Sequence, residues 1–532
     1  MHHTSVVDHM SRRRRLLVLA ICCMSLLIVS LDNTVLNVAL PAMRREFHAS
    51  VSGMQWTIDA YTLVIASLLI LAGSTADRIG RRRVFAWGLV LFTAGSVLCS
   101  LAPTLEWLVV FRMLQAVGGA MLNPVAMSII TNTFTDPKER ARAIGVWGAV
   151  VGISMAAGPL VGGLLVDSVG WRSIFWVNVP VGLLALVLTL RHVPESRSER
   201  PRRADPVGQL LVMVLLGGVT YAIIEAPAEG WSSPPILGCA LGAAAALGGL
   251  LYYESRRADP LIDPRFFRSA PFSGATVIAV STFASLSGFL FLTTLYLQEV
   301  RGLDALDAGL HMLPMAAFAF LCAPVSGRLV ASHGPRPSLL VSGVAMGASG
   351  LLFAVFSAET STPLMFTGYV LFGIGFGLVN APITNTAVSG MPRAQAGVAA
   401  AVASTSRQTG GALGVAVIGA VLAAGTAGGA DFATATRPAW WIITGCALLV
   451  LVVGAVTTGP WAHATALRTA QSLEAPAVHP GRGPRSGAGP GRLTSRDARP
   501  RAAGPLRRVR PHSCLPPFPF PGRLLTRTDD RY

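Results

Sequence analysis

Apolar residues along this chain come in runs of about twenty, the length that spans the hydrocarbon core of a bilayer as a helix. Short polar stretches part them. The runs fall at 17–40, 53–73, 84–102, 107–131, 141–166, 173–190, 207–225, 236–253, 273–297, 308–331, 338–357, 364–388, 398–423 and 438–458. One such run could be a buried core helix. Fourteen in succession predict an all-α integral membrane protein.

The polar positions confirm the pattern. Arg78, Arg81, Arg82, Arg83, Lys138, Arg140, Arg142, Arg191, Arg197, Arg200, Arg202, Arg203, Arg256, Arg257, Arg265, Arg268, Arg328, Arg336 and Arg393 all fall in even-to-odd connections. The odd-to-even connections hold only Arg44, Arg45, Arg172, Arg301 and Arg437. A bias this large puts both termini in the cytoplasm and makes the number of spans even. The expected location is the plasma membrane, crossed many times. Ser11-Arg12-Arg13-Arg14-Arg15 and the run behind it imitate a secretory signal, but no small-residue cleavage site follows, so this is read as an uncleaved first span.

Composition agrees. Residues are 52% hydrophobic and 13% charged, with mean hydropathy +0.56; a soluble protein carries about 25% charge. The net charge of +17 would suggest nucleic acid, but thirteen arginines against four acidic residues lie beyond Pro460, and most of the rest sit in short loops. That distribution fits anionic lipid headgroups rather than a nucleic-acid groove. Cys22, Cys23, Cys99, Cys239, Cys322 and Cys446 have no paired ligand spacing, so neither a metal site nor a disulfide framework is expected.

These patterns divide the chain into an N-terminal tail (1–16), a six-helix bundle (17–190), a basic linker (191–206), two inserted helices (207–253), a second basic linker (254–271), a second six-helix bundle (272–459) and a tail rich in Arg, Pro and Gly (460–532) expected to be disordered. The bundles echo each other. Gly73-x-x-x-Asp77-Arg78-x-Gly80-Arg81-Arg82 follows span 2, and Gly327 and Gly334, also seven apart and followed by Arg336, follow span 10. A duplicated bundle has a central interface, where secondary transporters bind their substrates. The first loop reads as a latch: Gly73 and Gly80 for close approach and a tight turn, Asp77 for helix-terminal amides, Arg78, Arg81 and Arg82 for carboxylates or a helix C-terminus.

That ten-residue loop resembles the signature of the major facilitator superfamily. Leu31-Asp32-Asn33-Thr34-Val35 through Pro41, Gln55-Trp56-Thr57-Ile58-Asp59-Ala60-Tyr61 and Trp171-Arg172-Ser173-Ile174-Phe175 are similar to its fourteen-helix drug:proton antiporters, the EmrB/QacA-like group. Gly148, Gly152, Gly158-Pro159 and Gly162-Gly163 in span 5 look like that family's antiporter motif. Helix 4 departs from it, with Ala116 where the family usually has glycine. The resemblance covers about residues 17–459. It implies two pseudo-symmetric six-helix bundles plus two inserted helices, alternating access, and export of drugs or antibiotics in exchange for protons. Physically, Pro159 bends its helix and the glycines let neighbours close in.

Ionisable residues inside spans cost roughly 2.5–3.5 kcal/mol each on insertion scales, so they mark a partner or a task. Asp32, Asp59, Arg112 and Glu225 are the proton-coupling candidates, with Asp32 or Asp59 as carrier and Arg112 beside the carboxylate. Each acid also has a plain structural reading, as an acceptor for nearby hydroxyls or amides. Phe289, Tyr296, Gln298, Asn380 and Asn385 are candidates for a cavity that takes small lipophilic or cationic molecules. No cofactor is called for; a proton gradient is the expected energy source, and about 150 mV would supply about 3.5 kcal/mol per proton. The protein is expected to be a monomer, not an enzyme, with lipids as partners. Export of a metabolite, siderophore or lipid, and a non-transporting membrane sensor, are the alternative readings.

Overall fold

A computed structural model describes residues 10–198, 205–257, 260–355, 360–392 and 395–474. The helices start where the sequence places small acceptors. Ser11, Ser50, Asp136, Asp205, Asp304 and Asp431 are N-caps whose side chains accept from amides of the first turn. Gly80 and Gly334 sit at tight helix junctions with φ of +123° and +80°, backbone that disfavours any side chain.

The first half comprises α1 (Arg12–Phe47), α2 (Val51–Ile79), α3 (Arg81–Ser100), α4 (Leu105–Thr133), α5 (Pro137–Ser168), the short α6 (Ser173–Trp176) and α7 (Asn178–His192). Two further helices follow, α8 (Pro206–Glu229) and α9 (Pro234–Arg256). The second half comprises α10 (Ala270–Leu295), α11 (Ala305–His333), α12 (Pro335–Phe353), α13 (Thr362–Val388), α14 (Ala396–Ala427) and α15 (Phe432–Thr457). Among the described residues thirteen helices are long and apolar enough to cross a membrane, or fourteen when α5, bent by 40° between Met155 and Ala157, counts as one span. Pro159 explains the bend: it has no N–H to return to the carbonyl one turn earlier.

One expectation is corrected. Residues 460–474 are not irregular: α16 (Pro460–Glu474) is a helix. Ala462, Ala466 and Thr469 line its buried side, and Leu473 packs on Phe266, Phe272, Val398 and Val402. Arg265 donates to the Ser472 carbonyl at 2.9 Å, and the Thr465 hydroxyl accepts from the Ala270 amide at 2.9 Å. The expected disorder beyond it lies outside the described residues. The second linker is also shaped, with a 3₁₀ turn at Pro264–Arg268.

Ion pairs show which helix ends share a face. Arg15 meets Glu139, and Arg14 and Arg82 donate to the His192 and Leu190 carbonyls, which gathers the starts of α1, α3 and α5 with the end of α7. This is the basic face. On the opposite face Glu46 takes Arg172 and the Trp171 indole, and Arg44 takes Glu299 at 2.7 Å.

The two halves are sealed at that opposite face. Gln298 donates to the Val38 carbonyl at 2.9 Å, and Asp167 accepts from the Leu306 amide at 2.7 Å and the Ala305 amide at 3.3 Å. Gln55 bonds the Ala416 and Val415 carbonyls at 2.8 and 3.1 Å. Toward the basic face Gly145 and Gly148 on α5 and Gly327 on α11 are exposed, with nothing within 4 Å of an added Cβ.

Candidate functional site: a buried ion-pair network and an unpartnered acid

Asp32 and Arg112, expected as neighbours, are brought together with almost no exposure, 4% and 0%. Asp32 Oδ2 pairs with Arg112 Nη1. Asp32 Oδ1 accepts from Gln115 Nε2 at 2.9 Å and Asn178 Nδ2 at 2.8 Å. Gln115 Oε1 accepts from Arg112 at 2.7 Å, and both amides reach Ser96 Oγ, at 2.7 and 3.1 Å. The guanidinium lies 4.0 Å from the centre of the Tyr61 ring, a cation–π contact. Five helices thus converge on one ion pair whose carboxylate accepts from three donors, while Arg112 Nε and Nη2 have no hydrogen-bond partner.

Small residues make this possible. Gly95 leaves α3 so close to α4 that an added Cβ would stand 2.6 Å from Gln115 Cα. That approach sets Ser96 beside Gln115. Sequence reasoning found Asp32 and Arg112 but assigned no role to Gln115, Asn178 or Ser96. Gln115 was findable, one helical turn beyond Arg112; nothing in the local sequence brings Asn178 to Asp32.

Asp59 is the opposite case. It is 0% exposed, and neither carboxyl oxygen has a hydrogen-bond partner. Its place follows from its neighbours on α2. Gln55, one turn before it, bonds carbonyls of α14, and Thr62, nearly one turn after it, faces Gly411 of α14 at 3.6 Å from an added Cβ. Asp59 lies on the α2 face turned to α14, at the seam between the halves. A carboxylate without partners is costly in so dry a place, whereas a neutral carboxylic acid is tolerated.

Glu225 is not at either site. It accepts the Trp56 indole N–H at 2.6 Å, and Tyr221 lies against Trp56 with ring centres 6.0 Å apart. Gln209 donates to the Ser67 carbonyl. α8 is therefore tied to α2 at two levels. The inserted pair is peripheral: the apolar windows of α8 and α9 are 28% and 17% buried, against 67% for α2.

The latch loop folds on its own half. Arg81 holds Asp77 at 2.8 Å, and its amide donates to the Ser196 carbonyl at 2.9 Å, while Ser198 donates to the Asp77 carbonyl at 3.1 Å. Glu195, missed in the sequence, accepts from the Arg82 amide at 3.2 Å and lies 3.7 Å from Arg83. A Cβ on Gly80 would stand 2.5 Å from Glu195 Oε1. Arg78 is exposed. Gly73 has no tight neighbour, since an added Cβ would lie 3.8 Å from Pro124, an ordinary contact.

The glycines of α5 divide by level. Gly158 and Gly162 lie against Thr34 and Val35 of α1, and Gly163 against the Ala305–Leu306 backbone of α11. A Cβ added to Gly152 would stand 2.8 Å from the Phe320 ring, and one added to Gly148 would have nothing within 4 Å. Of the cavity candidates, Phe289 is buried within the second half, stacked on Phe372 at 4.0 Å. Tyr296 lines a narrow pocket with Phe353 and Trp440, and Gln298 belongs to the seal. Asn385 is exposed and Asn380 half-buried, on the basic side of α13 near Thr384, which accepts from Arg407 at 2.6 Å.

A paired bundle with a polar network in one half and a seam between two glycine-lined helices fits a known family. The model of the Major Facilitator Superfamily matches residues 22–415. The chain belongs to that superfamily. Among its relatives is the multidrug resistance protein Stp of Mycobacterium tuberculosis, 40% identical over 77% of this chain and 76% of that one. The tetracenomycin C resistance and export protein of Streptomyces glaucescens is 38% identical over 75% and 74%. The multidrug efflux pump LfrA of Mycolicibacterium smegmatis is 34% identical over 76% and 80%. A solved superfamily-like fold, a bacterial homolog to the human lysosomal transporter Spinster in an inward-facing and unoccupied conformation, superposes with TM-score 0.58 at 19% identity, covering 86% of this chain and 99% of that one.

Proposed function

We infer that this chain exports drug-like or antibiotic compounds from the cell in exchange for protons, with its basic face in the cytoplasm of a plasma membrane. The observation that carries the reading is Asp59, buried without a partner at the seam between the halves. In the conformation described, Asp59 holds the proton. When α2 and α14 part, water reaches the carboxyl and the proton leaves, which couples protonation to the rocking of the halves. The Asp32–Arg112 network is the fixed pivot beside it: its charges are mutually neutralised, so it contributes geometry.

The substrate class rests on the relatives, which carry resistance or efflux names over most of their length. A monomer suffices, since both halves of the seam come from one chain. The energy source is the proton gradient. The test is purified protein in sealed liposomes with ethidium as probe and a dye reporting internal pH. The reading predicts ethidium movement that follows the pH difference and is lost in Asp59→Asn. Ethidium movement at the same rate without a pH difference would overturn proton coupling. Proton flux evoked only by metabolites or lipids would keep the coupling and overturn the substrate class.

A further inference from the structure

The inserted pair α8–α9 carries a second set of buried acids that the transport cycle above does not use. Asp205 caps α8: its Oδ1 accepts from the Gly208 amide at 2.9 Å and pairs with Arg257 Nη1 at 2.8 Å. Glu254 lies in the last turns of α9, and its Oε2 accepts from the Leu261 amide at 2.7 Å. Each residue is 3% exposed. The remaining oxygens, Asp205 Oδ2 and Glu254 Oε1, are buried and have no hydrogen-bond partner.

These two oxygens converge on one point. A Cβ built on Gly208 would overlap both, with Asp205 Oδ2 at 2.8 Å. Only glycine leaves the space in which they meet. Among the described residues, the charged and polar groups of the neighbouring elements have contacts of their own, although Gln209 Oε1 and Arg407 Nε have no hydrogen-bond partner. Arg257 reaches Asp205 and the Tyr253 hydroxyl, Arg265 holds Asp263 at 2.7 Å, and on the α2 side Gln209 bonds the Ser67 carbonyl. Arg407 of α14 donates to Thr384, and Arg268 is exposed.

Two ionised carboxylates at this range repel, and among the described residues one guanidinium, that of Arg257, pairs with only one of them. A single proton between Oδ2 and Oε1 turns one group into a donor and satisfies both oxygens at once. We propose that Asp205 and Glu254 form a proton-binding site that takes one shared proton from the solution on the basic face and fastens the ends of α8 and α9. With the proton on, the site carries one negative charge against Arg257. With it off, the charge doubles, and the cap of α8 separates from the end of α9. Because α8 is tied to α2 by Gln209 and Trp56 and also packs on α14, the fastening sets how freely the seam between the halves moves.

The experiment uses the full chain in lipid nanodiscs, with spin labels at Val207 and Leu251, both exposed. In the wild type the distance between the labels lengthens as pH rises. In Glu254→Gln the amide donates to Asp205 Oδ2 in place of the proton, so the short distance persists across the whole pH series. Infrared difference spectra give a second readout: a protonated-carboxyl band that titrates with the distance is lost in Glu254→Gln and in Asp205→Asn but kept in Asp59→Asn. A wild-type distance that ignores pH overturns the proposal. So does a Glu254→Gln variant that opens with pH as the wild type does, or a distance that follows sodium concentration at fixed pH.

Discussion

Gly163 and Gly148 belong to the same glycine series on α5, yet the structure assigns them opposite responses to one added methyl group. A Cβ at Gly163 would stand 2.5 Å from the Ala305 carbonyl oxygen and from Leu306 Cα, whereas ordinary contact begins at 3.4 Å. Both opposing atoms are backbone, so no rotamer can absorb the clash, and α5 and α11 must separate by about 0.9 Å. The same movement stretches the 2.7 Å bond from the Leu306 amide to Asp167 to about 3.6 Å, beyond hydrogen-bond range. Overpacking of this kind costs about 1–3 kcal/mol. Spent against the sealed conformation alone, that shifts the balance about 5- to 150-fold toward the state open on the opposite face. Gly148 has nothing within 4 Å, so Gly148→Ala leaves this conformation unstrained. Spin labels at Arg45 and Asp307, exposed on the opposite face, read the outcome as a distance distribution. Gly163→Ala moves the population to the longer distance and Gly148→Ala does not. An unchanged distribution in a folded Gly163→Ala protein would refute the claim that this seam is the seal.

The Asp32–Arg112 pair gives a stability prediction: Asp32→Asn strands the buried Arg112 charge and costs about 3–5 kcal/mol, and an added Arg112→Gln recovers much of it, read as melting temperature in detergent; equal melting of wild type and Asp32→Asn would contradict it. Gly80→Ala forces a side chain to φ +123° and into Glu195, so it costs about 1–3 kcal/mol and frees the 195–198 segment, seen as faster proteolysis there. Glu225→Gln keeps an acceptor for Trp56 and transports near the wild-type rate, while Glu225→Ala loosens α8; loss of coupling in Glu225→Gln would return Glu225 to the proton path.

The span pattern was enough to read an all-helical membrane fold, because lipid leaves a chain few ways to satisfy its backbone other than helices. The chemistry of Asp32 and Arg112 was legible for a similar reason: charge inside a span needs a partner. What stayed hidden was tertiary. Asn178 meets Asp32 only through the fold, as does Glu195 its latch loop. Gln298 looked like a cavity residue because its span lines the interface, but its amide serves the seal. α16 was obscured by the arginine- and proline-rich tail behind it, although Ala462, Ala466, Thr469 and Leu473 recur at helical spacing.

The central claim is that Asp59 alternates between holding and releasing the transported proton as the seam opens. Substrate-evoked proton flux in sealed liposomes tests it most directly. The account predicts that wild-type protein acidifies the compartment to which ethidium is added and alkalinises the other, and that Asp59→Asn, folded and still binding ethidium, moves no protons. Proton flux in Asp59→Asn equal to that of the wild type would contradict it.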